Sequence, residues 1–174
     1  MRTVTRIFEF DASHRVMNER IKCFNLHGHR FKVEVTLSYG AKKPLGYAID
    51  FKEIKRIVGE WIDEKLDHSY IANPQDENLI KLCRDNKWKL YVMGMGKDGD
   101  INPSAENLAS ELFYVIGHLF YNMDVTLSKV RLYETPNCWV ETDSFDYVAS
   151  KDFIMEIKQW REDKGVVNYD MREV

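Results

Sequence analysis

Residues 29 to 39, HRFKVEVTLSY, constrain the fold more than any other stretch, because they alternate without a break. His29, Phe31, Val33, Val35, Leu37 and Tyr39 fall on one face; Arg30, Lys32, Glu34, Thr36 and Ser38 fall on the other. That is the period of a strand with one covered face and one wet face. Residues 4 to 14, VTRIFEFDASH, carry a similar pattern, with Val4, Phe8, Phe10, Ala12 and His14 together. Such strands need a second layer to cover them.

The remaining elements supply that layer. Asp50 is an N-cap for a helix carrying Phe51, Ile54, Ile57, Val58, Trp61, Ile62 and Leu66 at helical spacing, and Glu53 three residues on spells a capping box. This helix ends near LDHSY. Residues 76 to 86 form a short helix and 88 to 93 a short strand, with a loop, GMGKDGDINPS, after them. The glycines of that loop lack the order of a phosphate loop. Ser104 caps a further helix with Leu108, Leu112, Val115, Ile116 and Leu119 on its apolar face. Strands follow at 126–135 and 138–148, then a helix from Lys151. The order predicts one α+β domain on an antiparallel sheet.

Composition narrows the function classes. At 174 residues, with 44% hydrophobic and 30% charged residues, the chain is a globular domain with a sizeable core. A net charge of −3 gives no reason to expect nucleic acid as a partner. No apolar run approaches the ~20 residues of a membrane span. The stretch MRTVTRIFEF lacks the pattern of an export signal, so the expected location is cytoplasmic. Cysteines at 23, 83 and 138 are an odd set and do not read as a disulfide framework.

The chemistry concentrates at CFNLHGH, residues 23 to 29. His27 and His29 leave the same face of one strand, and His14 ends the matching face of its neighbour. If the two strands pair, all three imidazoles lie at the end closed by the long connection, 15 to 28. Three histidines with an open fourth position match a catalytic zinc site, with Zn–N near ~2.0–2.1 Å. Adding Cys23 would close a structural CysHis3 site; held off the metal, the thiol is a base or nucleophile that needs a partner. Asp67 and His68, in LDH, are a candidate partner pair, or an ordinary solvated helix end. Surface histidines without a metal are the plain alternative, and His118, mid-helix, reads as packing. Glu134 ends the apolar face of Val130 and Leu132, which is costly unless the carboxylate is paired or grips a ligand with several N–H donors.

Five motifs in order, FDASH (10 to 14), CFNLHGH (23 to 29), LDH (66 to 68), PSAEN (103 to 107) and LYET (132 to 135), make residues 1 to 149 resemble the 6-pyruvoyl-tetrahydropterin synthase superfamily. The resemblance implies a tunnelling fold, ββααββ subunits closing a barrel as trimers, with two trimers stacked as a homohexamer and the active site between subunits. The polar face of Lys32, Glu34, Thr36 and Ser38 suits a wet barrel interior. It implies Zn2+ on His14, His27 and His29, Cys23 as catalytic base, and Asp67 and His68 as its proton relay. Glu134, with the Ser104–Ala105 segment, matches the contacts to the pterin ring, although the family usually has Thr at the place of Ser104. Three residues separate Cys23 from His27, which resembles the bacterial 6-carboxytetrahydropterin synthases of the queuosine and 7-deazapurine route. The pyruvoyl enzymes more typically have a longer gap, and a folate-linked group has glutamate in place of the thiol.

The implied reaction takes 7,8-dihydroneopterin triphosphate to 6-carboxy-5,6,7,8-tetrahydropterin. The alternatives are the pyruvoyl reaction and a non-catalytic pterin- or zinc-binding module. Arg15 and Lys22 are candidate triphosphate contacts or plain solvated charge. Two features exceed a minimal family member. One is the stretch between LDH and PSAEN, 69 to 102, which places an insertion at about 73–102; the other is a helical extension at 150–174.

Overall fold

The computed structural model describes residues 2–94, 101–145 and 149–166. β1 (Arg2–His14) and β2 (His27–Tyr39) form a long antiparallel hairpin, paired from Arg2 opposite Tyr39 to His14 opposite His27. β5 (Val125–Thr135) pairs antiparallel with β2, and β6 (Cys138–Thr142) with β5. Strand β6 stops at Thr142, short of the predicted 148; residues 146–148 lie outside the described ones.

The sheet has six strands, in the order β4-β3-β1-β2-β5-β6. The short strand expected at 88–93 joins it as β4, β3 is not expected from the sequence, and the sheet is mixed where the element order predicts an antiparallel one. β3 (Ser69–Ala72) runs parallel to β1, and β4 (Leu90–Val92) runs parallel to β3. All four residues of β3 are buried, so this strand has no alternation to betray it. α3 (Glu77–Asn86) crosses between β3 and β4 and covers Tyr70 and Ala72 with Ile80 and Cys83.

The helix starting after Asp50 comes in three pieces: α1 (Phe51–Ile54), a π-helical turn (Lys55–Gly59) and α2 (Glu60–Lys65). Asp50 caps it by accepting from Lys52 N. The expected capping box does not form, because the Glu53 carboxylate is held by Arg56 at 2.6 and 3.0 Å. α4 (Ala105–Leu119) begins at Ser104, whose hydroxyl accepts from Asn107 N, and α5 (Lys151–Asp163) begins at Ser150 in the same way.

The helices α1, α2, α4 and α5 pack on one face of the sheet. Phe31, Val33, Val35, Leu37, Val130 and Leu132 are fully buried there against Ile54, Leu112, Ile116 and Ile157. Each such side chain contributes about 1.5–3 kcal/mol of burial. The opposite face is polar, with Lys32 over the Tyr133 ring and Arg131 paired to Glu141. The fold therefore fixes the hairpin in register, and the histidines sit at its closed end on the core side.

Candidate active site

His14, His27 and His29 meet where β1 and β2 are joined by their long connection. Their ring centres are 4.6, 5.2 and 5.0 Å apart, and one ligand nitrogen from each lies within 4.8 Å of the others. Two tautomers follow from the hydrogen bonds. His14 Nδ1 lies 2.6 Å from Pro103 O, and His27 Nδ1 lies 2.7 Å from Asn25 O. A carbonyl only accepts, so each Nδ1 carries a proton and Nε2 is left as the ligand atom of each ring. That is the arrangement a metal-binding imidazole needs.

The donor set fits a metal on a second count. His14 is 1% exposed, and its Nε2 is buried without a hydrogen-bond partner. A lone pair left so is costly unless something else occupies it. Burial pushes the His14 imidazole below its ordinary pKa, against the Pro103 hydrogen bond, and burial lowers His29 likewise against Glu134. Burial thereby favours the neutral form of both rings, the form that ligates. The three histidines thus form a group that can hold a metal ion.

Glu134 is where its strand parity sends it, at the end of the face of Val130 and Leu132. Its Oε1 lies 3.5 Å from His14 Nε2 and 3.9 Å from His29 Nε2. A cavity of about 470 Å³ opens beside it, lined by His29, Lys32, Tyr133 and Glu134. Ser104 and Ala105 follow directly on Pro103, so the start of α4 is joined to the residue that orients His14.

Asp67 and His68 close the turn from α2 to β3. His68 has a left-handed backbone, φ 59°, and its N–H donates to Asp11 O at 2.6 Å. Asp67 Oδ1 accepts from Asp11 N at 2.9 Å, and Oδ2 accepts from His68 Nδ1 at 2.8 Å. The Asp67 carboxylate thereby orients the His68 ring, whose Nε2 edge points away from that bond on a side chain 78% exposed. His68 lines a second cavity, of about 600 Å³, that also reaches His29. Gly28, His29 and Arg30 line both cavities.

Cys23 stands apart. It is exposed in a single helical turn, Lys22–Phe24, and lies outside the metal-capable group. Among the described residues no hydrogen bond joins it to Asp67 or His68. Arg15 is spent within the chain, its guanidinium forked onto Asp76, while Lys22 is exposed. His118 donates to Tyr114 O and packs its ring, tilted, against that of Tyr114, as a packing residue does. Asp76 is the residue that sequence reasoning missed, since a helix cap is the only local signal it carries. No helix among the described residues is long and apolar enough to cross a membrane.

Comparison with known proteins gives the family of the chain. The model of the family described as 6-pyruvoyl tetrahydropterin synthase matches residues 3–144. A 6-carboxy-5,6,7,8-tetrahydropterin synthase of Rickettsia felis is 40% identical over 141 residues, covering 79% of this chain and 96% of its own. The 6-pyruvoyl tetrahydrobiopterin synthase of Dictyostelium discoideum is 33% identical, covering 79% and 92%. Among solved structures, a Wolinella succinogenes protein superposes with a TM-score of 0.68 at 22% identity, covering 82% of this chain and 97% of that one. The Caenorhabditis elegans 6-pyruvoyl tetrahydropterin synthase superposes at 0.58 and 23%, covering 82% and 95%, a likeness of fold. With the histidine group, the fold and the matched length in agreement, this chain belongs to the 6-pyruvoyl tetrahydropterin synthase family and is an enzyme of it, a pterin synthase.

Proposed function

We propose that the protein converts 7,8-dihydroneopterin triphosphate and water to 6-carboxy-5,6,7,8-tetrahydropterin, acetaldehyde and triphosphate, with zinc on His14, His27 and His29. The observation that carries this reading is the buried, unpartnered His14 Nε2 among three imidazoles, with the Glu134 carboxylate beside it. The names and identities of the rickettsial relatives support the carboxy product, as does the short spacing from Cys23 to His27.

Each residue has a task in that reaction. Glu134 accepts from the N–H groups of the aminopyrimidinone edge and, with the Ser104–Ala105 segment, fixes the ring so that the side chain reaches the histidines. Zinc, when bound, supplies the Lewis acidity that acidifies the C–H next to the side-chain hydroxyls. The Cys23 thiolate takes that proton, and His68, oriented by Asp67, shares it. Cys23 and the Asp67–His68 pair come from different copies of the chain in this reading, in a homohexamer. The lack of a hydrogen bond between them within one chain, among the described residues, supports that arrangement. The queuosine or 7-deazapurine route and a cytoplasmic location complete the proposal.

The 33% identity to the Dictyostelium relative favours one second reading, the pyruvoyl reaction, in which triphosphate leaves and every side-chain carbon stays. Mass spectrometry of the products from zinc-loaded protein and 7,8-dihydroneopterin triphosphate separates them. One acetaldehyde per triphosphate is expected; triphosphate without acetaldehyde selects the pyruvoyl reaction, and neither product defeats both.

A further inference from the structure

The thiol loop is gripped by the segment that follows the relay pair. Cys23 sits in the connection between β1 and β2, and its carbonyl accepts from Val16 N at 2.8 Å. The neighbour of Val16 is Arg15, whose Nε and terminal nitrogen donate to the two oxygens of Asp76 at 2.5 and 2.7 Å. The Asp76 side chain is 1% exposed; it also accepts from the Tyr70 hydroxyl at 2.6 Å and caps α3 through Leu79 N. On its other side the guanidinium lies 5.3 Å from the centre of the Phe24 ring, next to Cys23. Phe24 is 45% exposed, so the cation, more than an apolar core, holds this ring. Met17 is held at both backbone groups by the Asn102 side chain, which accepts from Asn73 as well.

A buried fork of this kind is not the cheapest way to stabilise a loop, since apolar replacements of buried ion pairs are often as stable. What a bidentate pair adds is direction, because the planar guanidinium and the carboxylate fix each other's orientation. Direction is what a proton-transferring thiol on an exposed loop lacks.

We propose that Asp76 is a positioning residue for the Cys23 thiol, acting through Arg15 and Phe24, so that the segment after β3 orients the catalytic loop. This rests on the reading of Cys23 as the base.

The test compares zinc-loaded wild type, Asp76→Asn, Phe24→Ala and Cys23→Ala. A displacement of ~1 Å at a reacting group costs on the order of 100-fold, so kcat should fall at least about tenfold in the first two variants, with KM within about threefold. Metal content should not change. Labelling of Cys23 by iodoacetamide, read by peptide mass spectrometry against exposed Cys138 in the same molecule, should change about threefold or more. Unchanged kcat and labelling overturn the inference. If Asp76→Asn unfolds at the assay temperature, Phe24→Ala decides by the same two readouts, since its ring is half exposed. An active Cys23→Ala defeats the thiol reading and this inference with it. An inactive Cys23→Ala beside fully active Asp76→Asn and Phe24→Ala defeats this inference alone.

Discussion

Gly28 stands between two of the three imidazoles, and the space around it explains why. A Cβ added there would lie 3.1 Å from Ala12 O and 3.7 Å from Ser13 Cα, both backbone atoms of the paired strand. The strand can give way only by moving off β2, and His14 moves with it. Gly28→Ala should therefore weaken metal binding about tenfold, the scale of losing the support behind a ligand, as measured with added zinc in competition with a coloured chelator. Equal affinity would show slack in the hairpin and refute the close fit. The three histidines and Glu134 are legible in the sequence because period-two alternation assigns them one face, and residues sharing the end of one face meet. Arg15 is not legible in the same way. Its partner lies 61 residues away, and a basic residue beside a metal motif reads naturally as a phosphate contact. The Glu53 capping box fails for a similar reason, since Arg56 outcompetes the backbone for its carboxylate.

Among the elements, the turn from α2 into β3 carries the most consequence. Lys89, just before β4, donates from Nζ to Asp63 O at 2.5 Å and to Asp67 O at 2.7 Å. It neutralises the negative end of α2 and holds the backbone under the Asp67–His68 pair. Lys89→Met keeps the stem and removes the cation. Stability should drop by about 1 kcal/mol, and amide exchange at residues 66–68 should quicken. Urea unfolding and hydrogen exchange measure the two effects, and protection equal to wild type would contradict the bracing role. The strand that this turn enters was invisible to periodicity, because burial on both faces erases alternation, and four residues are too few for another signal. The longer helices were readable from their apolar stripes and their Ser and Asp caps. The π-helical turn within the first of them carries no sequence mark that periodicity detects.

For the whole molecule, the Arg15–Asp76 pair ties the two parallel strands and α3 to the hairpin, and it makes that union sensitive to acid. Burial alone would raise the Asp76 carboxyl; the Arg15 fork, the Tyr70 hydroxyl and Leu79 N–H reverse this and hold it below its ordinary 3.8. Below that pH the unfolded chain takes up a proton that the folded chain refuses. The pair's contribution is therefore complete above about pH 3.8 and is withdrawn as pH falls through the lower folded value. Asp76→Asn should cost on the order of 3 kcal/mol near neutrality. Its urea midpoint should approach the wild-type value as pH falls below 3.8, and a gap that stays constant with pH would contradict the linkage. The α+β class, the helix-covered sheet and the short strand near 90 followed from element order, whereas β3 and the parallel pairing that brings both strands into the sheet are not announced by local sequence. The hairpin register has one more consequence, for how such a gene can vary in length. Losing one residue within β1 inverts the facing of everything on one side of the gap, which expels either the core row or His14. Losing one from the exposed turn at 40–46 leaves both rows untouched. Length variation tolerated in homologous genes should therefore gather at that turn and stay out of the thirteen paired positions behind the histidines.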